Sequence, residues 1–376
     1  MLRRQRVRAL VWVLVILLGL IPALAITPAG AQNGGLSGLL SNVPDRPASR
    51  TVIWYGAPGD LERLLGVQVN SQADVDALGP AQRLTFLLEF GQQVYYSDYS
   101  GIADSVTWDD TFGINGYAVT REITVGATFP DQFGIMEGAF DSGTILNKLS
   151  ALGYQQVNLA GQVVMAFGAD GDTSSGLPSQ ISGGRYNRLL VGSGTVVAAP
   201  SSALMEAVLS GGGALANDPT YAALAAVLES PNNQGGALLS AGLWGGDYLV
   251  NRVLTPALSQ SGASRDQLGI NAPLPGYLAA GIGYSRIGNG RQFMVALIYN
   301  SDAEAQAAAA TLAARMSAYM SAFEPGRQIF GGWAFSPSVI QSNGVFAAVV
   351  TGVMPDQTDV GWVKLAQDRD ILFLLP

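Results

Sequence analysis

Beyond residue 31 each apolar run is soon interrupted by Gly, Pro or a charged residue, and 47 of the 376 positions are glycine and 18 proline. Punctuation of this density restricts the chain to short strands and short helices joined by turns. Hydrophobic residues make up 48% and charged residues only 13%, against about 25% charged in ordinary soluble domains. The chain can therefore bury a sizeable core beneath a weakly charged, turn-rich surface. Chemistry is restricted as much as shape. The sequence has neither Cys nor His, which excludes disulfides, thiolate nucleophiles, Cys/His zinc sites and every proton shuttle built on imidazole.

The N-terminus carries Arg3, Arg4, Arg6 and Arg8, then an apolar run from Ala9 to Ala25 broken only by Gly19 and Pro22, then Ala29, Gly30 and Ala31. This is the order of a secretory signal peptide, with cleavage expected after Ala31. The competing reading is a retained N-terminal anchor, because the 17-residue run approaches the lower limit of a spanning helix. Pro22 and the small residues after it favour cleavage. No Cys follows the run, so a lipid anchor is excluded. Removing residues 1–31 leaves 16 basic against 28 acidic residues, a net charge of −12. The expected product is secreted, periplasmic or held at the cell surface, with no transmembrane domain after signal removal. It is no nucleic-acid binder, because its acidic surface repels phosphate and its two lysines, Lys148 and Lys364, lie in no basic cluster.

Residues 32–50 read as a linker. Residues 51–230 then form a first α+β domain: a strand at Thr51–Tyr55, a helix from Pro80, and a half-buried strand through Tyr117–Val125. A strand at Phe133–Phe140 leads into a helix capped by Asp141 and ended at Gly153. Strands at Gln162–Phe167 and Arg188–Ala199 follow, the latter folded at Gly192–Gly194, then a helix capped by Ser201 or Ser202 and a short helix from Asp218 with Pro219 in its first turn. Residues 231–275 read as an irregular connection. Residues 276–376 repeat the order. Strands Leu278–Ile287 and Gln292–Tyr299 join at Gly288, Asn289 and Gly290, where Asn289-Gly290 suits a type I′ turn, Ser301 and Glu304 form a capping box, and Trp333–Ile340 pairs with Val345–Val350 across Ser342, Asn343 and Gly344. The expected fold class is α+β, antiparallel sheets with helices on one face, divided into two ferredoxin-like (split βαβ) units.

The runs GAFDSGTILNKLSALGY, RYNRLLVGSGTVVAAPSSALMEAVL and LANDPTYAALAAVL resemble a pattern found in uncharacterised exported bacterial proteins. The resemblance covers residues 133–228 and rests on structural punctuation. It implies export and an α+β layout, and no activity, cofactor or catalytic residue.

Several constellations resemble chemical sites. Phe140-Asp141-Ser142-Gly143-Thr144 is similar to the active turn of aspartic peptidases, but the mechanism needs two carboxylates sharing a proton, and no second Asp-Thr/Ser-Gly exists. Asp141 as a helix cap is the simpler account. Asp172–Pro178 resembles the serine loop of acidic-triad peptidases without its glycine. Asp170-Gly171-Asp172 starts like an EF-hand loop but has Ser175 at the glycine position and Ile181 where a glutamate is required. Gly281, Gly283 and Gly288 lead into a hairpin rather than a helix and do not make a nucleotide loop. The best candidate binding surface for a sugar is Tyr95, Tyr96, Asp98, Tyr99, Asp104, Trp108, Asp109 and Asp110, where ring faces stack on sugar and carboxylates accept hydroxyl hydrogen bonds. Its bland counterpart is aromatics closing the core while aspartates cap turns. No catalytic residue, metal or cofactor is assigned.

The sequence thus points to a non-enzymatic binding or scaffolding protein with a protein or carbohydrate partner, working through Gly, Ser, Asn and aromatic surface rather than charge. A histidine-free carboxylate hydrolase, glycosidase or peptidase, is the alternative. Solute capture for uptake lacks the required βαβ alternation.

Overall fold

The computed structural model describes residues 34–90, 108–210, 213–354, 365 and 369–376. Its strands are β1 (Val52–Gly56), β2 (Val119–Val125), β3 (Phe133–Gly138), β4 (Gln155–Leu159), β5 (Gln162–Ala166), β6 (Arg188–Gly192), β7 (Thr195–Ala199), β8 (Ala237–Gly245), β9 (Ala279–Ile287), β10 (Gly290–Tyr299), β11 (Ala334–Ser342) and β12 (Val345–Val353). The principal helices are α1 (Leu36–Leu40), α2 (Pro58–Leu65), α3 (Gln72–Ala77), α4 (Pro80–Phe90), α5 (Ser142–Ala151), α6 (Leu177–Ser182), α7 (Ser202–Leu209), α8 (Pro219–Leu228), α9 (Thr255–Ser261) and α10 (Asp302–Ala318). A further short helix covers residues 108–112.

The strands form one 12-stranded sheet in the order β11-β12-β10-β9-β8-β1-β2-β3-β7-β6-β5-β4. Helices with a large antiparallel sheet agree with the α+β expectation. The finer layout differs. A ferredoxin-like unit needs a parallel central pair, whereas each pair of neighbouring strands here is antiparallel. Helices cover both faces rather than one. Trp244, Val295 and Leu297 lie in one cluster with Leu61 of α2, Phe86 of α4 and Leu312 of α10. Their strand neighbours Leu243, Met294 and Ala296 point the other way, into a cluster with Leu39 of α1, Met205 of α7 and Leu224 of α8. A third cluster joins Trp108, Phe112, Ile145 and Leu149 to β3 and β7.

Two segments expected to be irregular are structural. From Gly34 onward, the supposed linker inserts Leu36, Leu39, Leu40 and Val43 into the core, each at most 1% exposed. The supposed connection at 231–275 contains β8, which is central to the sheet, and α9. β8 pairs with β9 on one side and β1 on the other, so a single sheet runs through both halves. Near the C-terminus a short 3-10 turn at Leu372–Leu374 buries all three of its side chains.

The repeated order seen in the sequence has a structural form. β1, a helical excursion, the β2–β3 pair and α5 precede strands that return β7 to the side of β3. β8, a helical excursion, the β9–β10 hairpin and α10 precede strands that return β12 to the side of β10. The two leading strands, β1 and β8, pair antiparallel and join the halves. Gly281 and Gly283 have a packing role in this arrangement. A Cβ on Gly281 would stand 3.0 Å from Leu224 of α8, and one on Gly283 3.1 Å from Leu228, so the missing side chains let α8 lie close on β9.

Candidate interaction surface

Much of the acidic inventory is engaged in structure. Asp141 caps α5, accepting from the Gly143 and Thr144 amides at 3.0 and 3.2 Å and from Thr144 Oγ1 at 2.7 Å. These bonds, the Thr144 hydroxyl foremost, hold its carboxyl below the usual range. Asp172 accepts from the Ser174 and Ser175 amides, and Asp218 caps α8 while pairing with Arg50 at 2.7 Å. Asp170 pairs with Arg188 at 2.6 Å. Glu89 of α4 is 2% exposed and accepts from Arg286 Nη1 at 3.2 Å, Arg291 Nε at 2.9 Å and the Tyr284 hydroxyl. It ties the helical excursion of the first half to the β9–β10 hairpin of the second. Glu229 receives the Ser37 hydroxyl and amide at the start of α1, and burial pushes its carboxyl upward. Buried Asp370 takes the Tyr319 and Ser321 hydroxyls at 2.8 and 2.6 Å. Among the described residues no group of three or more acids stands ready to hold a metal ion.

The sugar-binding candidate divides. Tyr95, Tyr96, Asp98, Tyr99 and Asp104 lie outside the described residues. Trp108 is 5% exposed, with its ring 4.8 Å from Phe112 and 4.4 Å from Tyr186, so it belongs to the core and presents no free face to a sugar. The backbone carbonyls of Asp109 and Asp110 accept from Lys148 Nζ, tying the 108–112 helix to α5. Of the eight candidates, these three hold the fold together.

The surface with the composition expected of a binding face lies at the end of the sheet. From Gln328 to Pro355 the chain carries no charged residue, and the middle of this span is the β11–β12 hairpin. β11 ends the described sheet and pairs on one side only, with β12. Ala334, Ser336, Pro337, Ser338, Ile340 and Gln341 are exposed, and Val353, opposite Ala334, is 51% exposed. Phe335 and Val339 pack against the cluster beneath α10, which fixes the strand from behind. Trp333 stacks on Phe335 at 6.1 Å and 29°, and meets Phe330 edge-on at 5.2 Å.

The direction of the main-chain groups follows from the turn. Asn343 and Gly344 both have positive φ, 51° and 80°, the type I′ geometry that makes the flanking Ser342 and Val345 a hydrogen-bonded pair. Alternation then turns the N–H and C=O of Ser342, Ile340, Ser338, Ser336 and Ala334 toward β12 and those of Gln341, Val339, Pro337 and Phe335 outward. Pro337 fits this parity, since a proline in a ladder is tolerated where its nitrogen faces away from the neighbouring strand. The outward edge thus offers a row of backbone groups interrupted at one donor. With no titratable side chain along it, recognition there rests on backbone hydrogen bonds and small apolar or hydroxyl side chains. The sequence reading passed over this edge; its signals were the charge-free span and a proline inside a strand.

No family model matches the chain, and no curated protein matches it. Among solved structures, crystal form I of TP0453 aligns with a TM-score of 0.35 at 9% identity, covering 90% of this chain and 97% of that one. Crystal form III of TP0453 aligns with a TM-score of 0.33 at 10% identity, covering 83% and 92%. Likeness at this level carries neither fold nor role across.

Proposed function

We propose that the chain is an exported, non-enzymatic binding or scaffolding protein, released from residues 1–31 and acting outside the cytoplasmic membrane. The observation that carries the reading is the uncharged, exposed β11 edge, whose outward backbone groups suit an added strand. Of the Gly, Ser, Asn and aromatic surface expected from the sequence, it offers Ser336 and Ser338 along the strand and Asn343 and Gly344 at the turn, all exposed. Among the described residues no helix is long and apolar enough to cross a membrane. The resemblance over residues 133–228 to exported bacterial proteins points the same way.

The test uses fluorescent nine-residue peptides of alternating Thr and Val, titrated against the purified protein and against Val339→Pro. Position 339 faces outward, so the substitution removes a donor for an added strand without removing one from the β11–β12 ladder. Saturable binding that weakens about tenfold in the variant supports the edge as the binding site. Binding unaffected by the variant, no binding at all, or hydrolysis of polysaccharide or peptide by the purified chain overturns the reading.

A further inference from the structure

The edge also indicates its own partner. We infer that β11 pairs antiparallel with β11 of a second copy of this chain, about a twofold axis at Ser338, extending the sheet across a symmetric dimer. The inference rests on the edge reading above and names the occupant.

Charge supplies the first argument. The chain carries a net charge of −8, and −12 without residues 1–31, so two copies repel over most of their surfaces. The hairpin from β11 to β12 bears no charge on either strand, and like copies meet there without a like-charge contact. Natural edges are commonly guarded by Lys, by inward charges, by proline or by shortness. β11 has nine residues and only the proline.

Register supplies the second. Centring the axis on Ser338 places Pro337 opposite Val339 of the partner copy and Phe335 opposite its Gln341, so all four outward positions are used. Each Pro337 carbonyl accepts the partner's Val339 N–H. The arrangement makes about six of the eight main-chain bonds available to four antiparallel pairs, the two missing ones being those the prolines cannot donate. On the exposed face Ser338 meets its own mate and Ser336 meets Ile340, pairs small enough for close approach. The opposite end of the sheet fits less well. β4 has five residues, and its own two-residue turn at Ala160 and Gly161, with φ 49° and 79°, leaves only Gln156 and Asn158 facing outward.

Sedimentation velocity on the purified protein, from about 1 to about 100 µM, reads the association directly. The expected result is a monomer–dimer equilibrium, weakened about tenfold or more by Val339→Pro and by Ser338→Lys, with Ser338→Lys melting like the parent. Ser338→Lys sets two like charges across the axis and, lying at an exposed position, keeps the test valid if the proline variant folds poorly. Gln156→Pro at the other edge leaves the dimer unchanged. A protein monomeric throughout, a dimer indifferent to both β11 variants, or a ladder of larger species abolished by Gln156→Pro overturns the inference. If the protein is monomeric yet binds the strand peptides through Val339, self-pairing fails while the edge reading stands.

Discussion

The first half of the chain carries its end of the sheet out through β6 and β5 to the five-residue β4, whereas the second stops at the nine-residue β11. Both terminal hairpins are free of charge, from Leu149 to Ala169 in one and from Gln328 to Pro355 in the other. The first has an extra hairpin, and its last strand is too short to offer more than two outward positions. The second has four, with one donor removed by Pro337. Two ends reached by the same order of elements are thus closed by different means, and length rather than charge separates a blunt edge from a usable one.

The join between the halves is the strongest place to break the comparison. Replacing Glu89 by Ala leaves Arg286 and Arg291 buried without their carboxylate and is expected to cost about 3–5 kcal/mol, read as a fall in the urea midpoint with unchanged slope. Leu40→Ala removes a fully buried side chain of α1 and is expected to cost about 2–5 kcal/mol, whereas a true linker would register almost nothing. Gly281→Ala presses a methyl group against Leu224 and Leu228 and is expected to cost about 1–3 kcal/mol in the same assay. Helix α8 comes from the first half and β9 from the second, so this variant measures how tightly the two are fitted.

A smaller effect depends on pH. Burial pushes the half-buried Glu62 carboxyl up to about 7, above its value in the unfolded chain. The folded protein therefore holds the proton more tightly, and Glu62 lowers stability as pH rises from about 4.5 to about 7. Glu62→Gln is expected to be more stable than the parent by about 1 kcal/mol near pH 8, discounted for partial exposure, with the difference vanishing near pH 4. Smallest of all, Gln156→Pro should change monomer stability by about 0.5 kcal/mol or less, since it sits at an exposed outward position; Val339→Pro adds to the same backbone change the loss of packing beneath α10. A large loss at Gln156→Pro would show that the alternation deduced from the turns is wrong.

Elements with a local signal were legible in the sequence. Asp141, Ser201, Asp218 and Ser301 each cap the helix expected after them, because capping chemistry is contained within four residues. The hairpin at Asn343-Gly344 was readable for the same reason, whereas Asn289-Gly290 marked its hairpin one residue late: Gly288 and Asn289 make that turn and Gly290 already pairs with Ile287. β8 was missed because it is buried on both faces: ALLSAGLWG is nearly continuous apolar sequence with no alternation to mark a strand. Without β8 in place, the halves looked like separate domains. α1 was missed because five residues show no helical period, and its burial depends on Glu229, 192 positions away from Ser37. Trp108 misled because a ring beside two aspartates suits a sugar as well as a core, and only the packing on Phe112 and Tyr186 decides between them.

The placement of α8 has a consequence in time. This helix precedes β8 in the chain, yet its inward side chains Leu224 and Leu228 find their surface on β9, a strand that begins at Ala279, 51 positions beyond Leu228. A chain emerging from its N-terminal end first, from a ribosome or through a membrane channel, presents α8 while its floor is still unmade. The first half must wait with an apolar helix uncovered, open to capture by chaperones or by other unfinished chains, until β9 and β10 arrive to receive it.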